Sequence, residues 1–194
     1  MILTETSSVA SEVLPVDALK THLQMGTGFT DSDVQDELLE TYLRAAIAAV
    51  EARSGRILLR KGYVWSLTRW RDAARQVLPL KPIIDVSEIR LIDGLGEVQI
   101  ADADSYRFVP DAMAASVMAV GVVLPPVPVG GSVDLVFEAG FGAAWADVPA
   151  DLAQAVMIVA ASTYENRSGT SDAMPMAALS LIEPYRPLRL SRGV

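Results

Sequence analysis

The chain has 194 residues, enough for one domain or for one core with appendages. It is 51% hydrophobic with a mean hydropathy of +0.32, a surplus over what a soluble core needs that points to subunit interfaces. A net charge of −8 argues against tight nucleic-acid binding, and the absence of cysteine excludes disulfides, thiolate metal sites and cysteine nucleophiles.

Residues 1–13 are polar and small and read as a loose arm. They lack the basic segment and apolar run of a signal peptide. Pro15 then opens a short helix over 15–25, with Leu19 and Leu23 on one face, and Gly26-Thr27-Gly28 ends it. The strongest helical pattern covers 31–55. Val34, Leu38, Leu39, Tyr42, Leu43, Ala46, Ile47 and Val50 recur at steps of three and four. Asp31, Asp33, Asp36, Glu37 and Glu40 crowd its start, Arg53 and Arg56 its end, as the helix dipole favours. Gly55 is placed as the C-terminal cap, and Ala45, Ala46, Ala48, Ala49 and Ala52 make the later half slim.

Between residues 57 and 138 the period changes to two. Strands are predicted at Ile57–Arg69, Val77–Leu80, Val86–Ile92, Glu97–Ile100, Tyr106–Val109, Val117–Leu124 and Ser132–Glu138. Asp93-Gly94-Leu95-Gly96 reads as a hairpin turn, and Pro125-Pro126-Val127-Pro128 with Gly130-Gly131 as a loop. A helix returns over 149–167, apolar nearly all round between Ala153 and Ala161, and a shorter one follows near Ala173–Glu183. Residues 184–192 form a basic, proline-broken tail. The longest apolar runs, Ala112–Leu124 and Ala153–Ala161, fall short of the roughly 20 residues that a membrane helix needs. The fold class is therefore α+β: a helical core with a small antiparallel β region inserted between its helices.

Chemical motifs are sparse. His22, the only histidine, has no serine or aspartate at a diagnostic spacing and reads as a surface or packed side chain. Asp31-Ser32-Asp33-Val34-Gln35-Asp36 starts like a calcium loop. Asp36 stands where that loop needs glycine, so N-terminal helix capping explains the carboxylates better. Asp102 and Asp104, with Asp93 and Glu97 nearby, have nothing around them to desolvate an acid pair. Gly140-Phe141-Gly142 lacks the third glycine of a dinucleotide fingerprint, and no Gly-Lys-Ser/Thr occurs, so it reads as a strand-to-helix turn requiring positive φ. Trp65 and Trp70 interleave with Arg69, Arg71 and Arg75 as in single-strand binders, but on so acidic a chain an edge-strand or interface patch is the better reading. No catalytic, cofactor or metal site emerges.

An ordered set of segments nevertheless carries a resemblance. It comprises the short helix with Leu19 and Leu23, the long helix ending Glu51-Ala52-Arg53-Ser54-Gly55-Arg56, and Leu80-Lys81-Pro82-Ile83 before Val86-Ser87-Glu88-Ile89. It continues with Glu138-Ala139-Gly140-Phe141-Gly142, Val148-Pro149 and Tyr164-Glu165-Asn166-Arg167. Over residues 14–168 the chain resembles the head–tail connector (adaptor) proteins of tailed phages and gene transfer agents, in the branch with a β insert. The resemblance implies a connector domain over 14–168, followed by a C-terminal segment and tail over 169–194. It implies a virion structural protein rather than an enzyme, without cofactor, metal or membrane. Its place would be the virion neck, as a dodecameric ring docked on the portal, with stopper and tail proteins below and DNA passing through the channel without specific binding. Acidic side chains would line that channel. The Ala-rich face of the long helix and the apolar helix 149–167 would serve core and subunit packing, and the β insert would face outward or toward tail or capsid parts. The tail would reach the portal through Pro184, Tyr185, Arg186, Leu188, Arg189, Leu190 and Arg192. A stopper or tail-completion protein is the alternative ring component.

Overall fold

The computed structural model describes residues 1–24, 33–166 and 174–186. They fall into two compact units, one helical and one β. The α+β class follows directly.

The helical unit holds α1 (Val16–His22), α2 (Asp33–Ser54), α3 (Ala150–Glu165) and α4 (Met176–Ile182). Its core follows the stripe of the helical period, except that Leu38, read as part of it, is exposed and Tyr42 is half-buried at its margin. Leu39, Leu43, Ala46, Ile47 and Val50 of α2 are buried, as are Leu152, Ala155, Val156, Val159 and Ala160 of α3. α3 packs on α2 and α4, and α1 on both α2 and α3, where Leu19 is fully buried. Tyr42 meets Tyr164 edge to face with ring centroids 5.8 Å apart. The end of α2 explains the residues that close it. Gly55 takes φ +67°, the Glu51 carboxylate accepts the Leu58 N–H at 2.8 Å, and Ser54 Oγ accepts the Arg56 N–H at 3.1 Å. Side chains thus take over where the backbone ladder stops.

The β unit has two antiparallel sheets. The larger runs in the order β1-β2-β8-β4-β5, from β1 (Ile2–Glu5), β2 (Lys61–Leu67), β4 (Ile83–Ile92), β5 (Val98–Ile100) and β8 (Ser132–Ala139). The smaller runs β3-β7-β6, from β3 (Arg75–Val77), β6 (Tyr106–Val109) and β7 (Ser116–Ala119). Central β8 alternates strictly, with Val133, Leu135, Phe137 and Ala139 turned inward. Its register sets Tyr63, Trp65 and Leu67 of β2 opposite Phe137, Leu135 and Val133. Tyr63 and Phe137 stack at 5.7 Å. The Asp93–Gly96 turn joins β4 to β5, closed by the Asp93 N–H on the Glu97 carbonyl at 3.0 Å.

The structure differs from the sequence reading at several places. Residues 2–5 lie in the segment read as a loose arm, yet they form β1, an edge strand paired with β2. The strand was hidden because all four residues stay exposed, so no burial pattern marks it; backbone pairing with β2 holds it, with an ion pair from Glu5 to Lys61 at 3.7 Å. Two contacts with Gly62 extend the pairing: its carbonyl accepts the Thr6 N–H at 2.8 Å and its N–H donates to Ser7 Oγ at 2.7 Å. The strand predicted at Val117–Leu124 stops at Ala119, and Val120, Val122 and Val123 turn out to solvent before the prolines. That predicted at Val77–Leu80 is displaced to Arg75–Val77, since Pro79 cannot donate to a ladder.

Candidate functional site

The residues weighed as chemical centres take the following places in the structure. His22 ends α1 and is exposed. Of the acidic run, residues 31 and 32 lie outside the described residues, while Asp36 accepts Lys20 in an ion pair of 2.6 Å. That hydrogen bond raises the Lys20 pKa above its ordinary value, against the opposing effect of burial. Asp93 Oδ1 accepts the N–H groups of Leu95 and Glu97 at 2.8 and 2.9 Å, and Asp102 Oδ1 that of Asp104 at 3.0 Å. These carboxylates build turns. Among the described residues no cluster of three or more His, Asp or Glu side chains is placed to hold a metal ion, and no helix is long and apolar enough to cross a membrane.

The aromatic–arginine stretch does not present both of its rings to solvent. Trp65 is buried in the large sheet, and Trp70 Nε1 donates to the Pro125 carbonyl at 2.8 Å. Arg75 lies over the small sheet, its Nε donating to Ser116 Oγ at 3.0 Å. The Gly140–Gly142 turn is steric in origin. Gly140 has φ +135°, and a Cβ there would stand 2.6 Å from the Leu59 carbonyl and the Arg60 nitrogen. A Cβ on Gly142 would overlap the Asp147 side chain, whose Oδ2 accepts the Ala144 N–H at 2.9 Å.

The candidate portal-binding residues divide in two. Pro184 and Tyr185 lie in a short 3-10 turn directly after α4, and Arg186 follows it, paired with Glu183 at 2.9 Å. The Tyr185 hydroxyl donates to Asp151 Oδ1 at 3.0 Å, which ties this turn to the start of α3. Burial, with help from Asp151, raises the Tyr185 pKa. Leu188, Arg189, Leu190 and Arg192 lie outside the described residues.

Sequence reading missed what the small sheet assembles. Its register sets Arg75, Met118 and Arg107 in one rung, and Val77, Ser116 and Val109 in the next. The Arg-x-Val spacing of 75–77 and 107–109 is the only local sign of it. On α2, the Ala-rich half divides as well: Ala46 is buried, whereas Ala45, Ala48 and Ala52 are exposed in line with Leu38 and Thr41.

No protein-family model and no curated protein sequence matches the chain. Solved structures do. A chain from the neck of an empty gene transfer agent particle, computed with C6 symmetry, is 43% identical with a TM-score of 0.90, covering 100% of this chain and 99% of that one. The neck of the native particle, computed with C12 symmetry, gives 40% identity and a TM-score of 0.87 at the same coverage. A chain of the native virion gives 42% and 0.88, again at that coverage. Fold, length and sequence agree from end to end, and the chain belongs to the head–tail connector (adaptor) family represented in the necks of gene transfer agent particles.

Proposed function

We propose that this protein is the adaptor of a phage-like particle: a ring in the virion neck, between the portal and the stopper, that extends the DNA channel. The observation that carries this reading is full-length similarity, at 40–43% identity, to chains of particle necks computed with C6 and C12 symmetry. Twelve copies in a closed ring fit that symmetry, and a closed ring requires head-to-tail contacts between unlike surfaces. Composition agrees: the chain is strongly apolar, as extensive subunit contacts demand, and net acidic, so that DNA slides past without sticking. The work is geometric. Each copy adds a modest contact with the portal, and the ring multiplies it into a firm joint.

The basic tail is the portal-docking element in this reading, rooted by Tyr185 on Asp151. Residues 187–194 supply the reach, with Leu188, Arg189, Leu190 and Arg192 making contact, while Pro184, Tyr185 and Arg186 set its point of departure. Mixing purified portal with full-length chain, followed by sedimentation, tests this. A complex is expected with the full chain and at least tenfold weaker binding after deletion of 187–194. No complex with the full chain refutes the adaptor role, and equal binding by the truncated chain refutes tail docking.

A further inference from the structure

We propose that the open face of the small sheet is a ring interface and that its occupant is the outward face of α2 in the neighbouring copy, around Glu37, Leu38 and Thr41. The proposal rests on the ring reading above and assigns the surfaces that close the ring.

The strand register builds the first surface. Arg75, Met118 and Arg107 lie across one rung, and Val77, Ser116 and Val109 across the next, on the face opposite the buried Gln76 and Val117; Ser116 itself is buried under its bond from Arg75, so the open part of the face is the two arginines, Met118 and the two valines. Arg75 and Arg107 are exposed and Val77 is 42% exposed. The bond from Arg75 to Ser116 Oγ keeps its guanidinium on this face, and Arg107 forms no ion pair with any described residue. An apolar strip with a cation at each side is a surface for a partner that offers carboxylates and apolar contact together.

The outward face of α2 has that composition. Leu38 is 38% exposed beside exposed Glu37, the carboxylate offered to the partner, since adjoining Asp36 and Glu40 are already paired with Lys20 and Arg44. Thr41, Ala45 and Ala48 continue the line with side chains too small to hold a neighbour off. Leu38 would seat on Val77 and Met118, with Glu37 against Arg107. The two surfaces are unlike and lie on one chain, so pairing them joins copies head to tail. A two-fold dimer would leave one of each unused, whereas a ring uses every one.

The cysteine-free sequence makes the test clean. Particles carrying the full chain with both Glu37→Cys and Arg107→Cys are treated with a short bis-maleimide. A ladder of covalent oligomers rising to the closed ring is expected, and neither single variant should give one. Monomer bands alone, from particles whose necks hold the protein, overturn the proposal. Absence of the protein from the necks of wild-type particles refutes the ring reading itself. In a second arm, Arg107→Glu lowers neck occupancy by about tenfold or more and Glu37→Arg in the same chain restores it, with far-UV circular dichroism unchanged. Normal occupancy of the Arg107→Glu variant, failure of the swap to rescue, or normal assembly with altered DNA ejection, which would assign the face to DNA, each overturn the assignment.

Discussion

Gly140 gives a graded test of the structural argument, because the chain supplies its own controls. Alanine at Gly140 meets two penalties. Its φ of +135° is one that side chains rarely adopt, a strain of about 1–3 kcal/mol. Its Cβ would also stand 2.6 Å from the Leu59 carbonyl and the Arg60 nitrogen. Backbone yields less readily than a side-chain tip, so relieving that overlap adds about 1–3 kcal/mol. Gly96 shares only the first penalty: φ is +86°, but nothing lies within 4 Å of its Cβ position. Gly121 has neither and should fall within about ±0.5 kcal/mol of wild type. Urea unfolding in a Trp145→Phe background, followed by fluorescence of Trp65 and Trp70 in the β unit, should rank Gly140→Ala well below Gly96→Ala, and Gly96→Ala below Gly121→Ala. For a chain of this size a 3 kcal/mol loss at Gly140 corresponds to about 6–12 °C in Tm. A Gly140→Ala loss no larger than that of Gly96→Ala would mean that the first residues after Leu58 give way freely, and close approach would not explain the turn.

Three further outcomes follow from side-chain geometry. Tyr185→Phe removes the bond to Asp151 and should cost about 0.5–1.5 kcal/mol in thermal unfolding of the helical unit, without loss of helix content. The Ser11 hydroxyl and then Arg44 hold the Glu40 carboxyl below its ordinary 4.5. Its stabilisation is therefore complete above pH 4.5 and lost as pH falls through the lowered native value, and Glu40→Gln should flatten that acid limb of a stability-against-pH curve. Burial raises the Tyr106 phenol above its ordinary 10.0, so the fold favours the neutral form. Stability should be intact below pH 10 and fall as pH rises through the raised native value, and less steeply in Tyr106→Phe.

The sequence carried the helices well and the sheets unevenly, for reasons that particular residues show. α2 and α3 bury stripes generated by their own periodicity, so one segment at a time is enough to find them. β8 was legible because its own residues alternate strictly between buried and half-buried, while β4 beside it, bulged twice, buries Ile83, Val86 and Ile89 at steps of three. β1 was not: its four residues bury nothing, and only the free edge of β2, about 60 residues further on, gives them a partner. The assembly surface failed in the same way. Arg75 and Arg107 are 32 positions apart and meet only through their shared partner Met118 on β7, so no window of sequence contains them together.

What did show in the sequence were positions where a backbone problem has one local solution. Glu51, Ser54 and Gly55 close a helix within a few residues, and Gly140 and Gly142 pass a turn that no side chain permits. Such signatures report a fold and, through it, a family. They are silent about which faces a ring covers, because those faces are set by register and by symmetry, and both arise only when distant segments, or separate copies, come together. The Glu37–Arg107 charge swap probes that second level. It leaves every local signature untouched and alters only the pairing between copies, so a change in neck occupancy with an unchanged fold would locate function in the register of the small sheet.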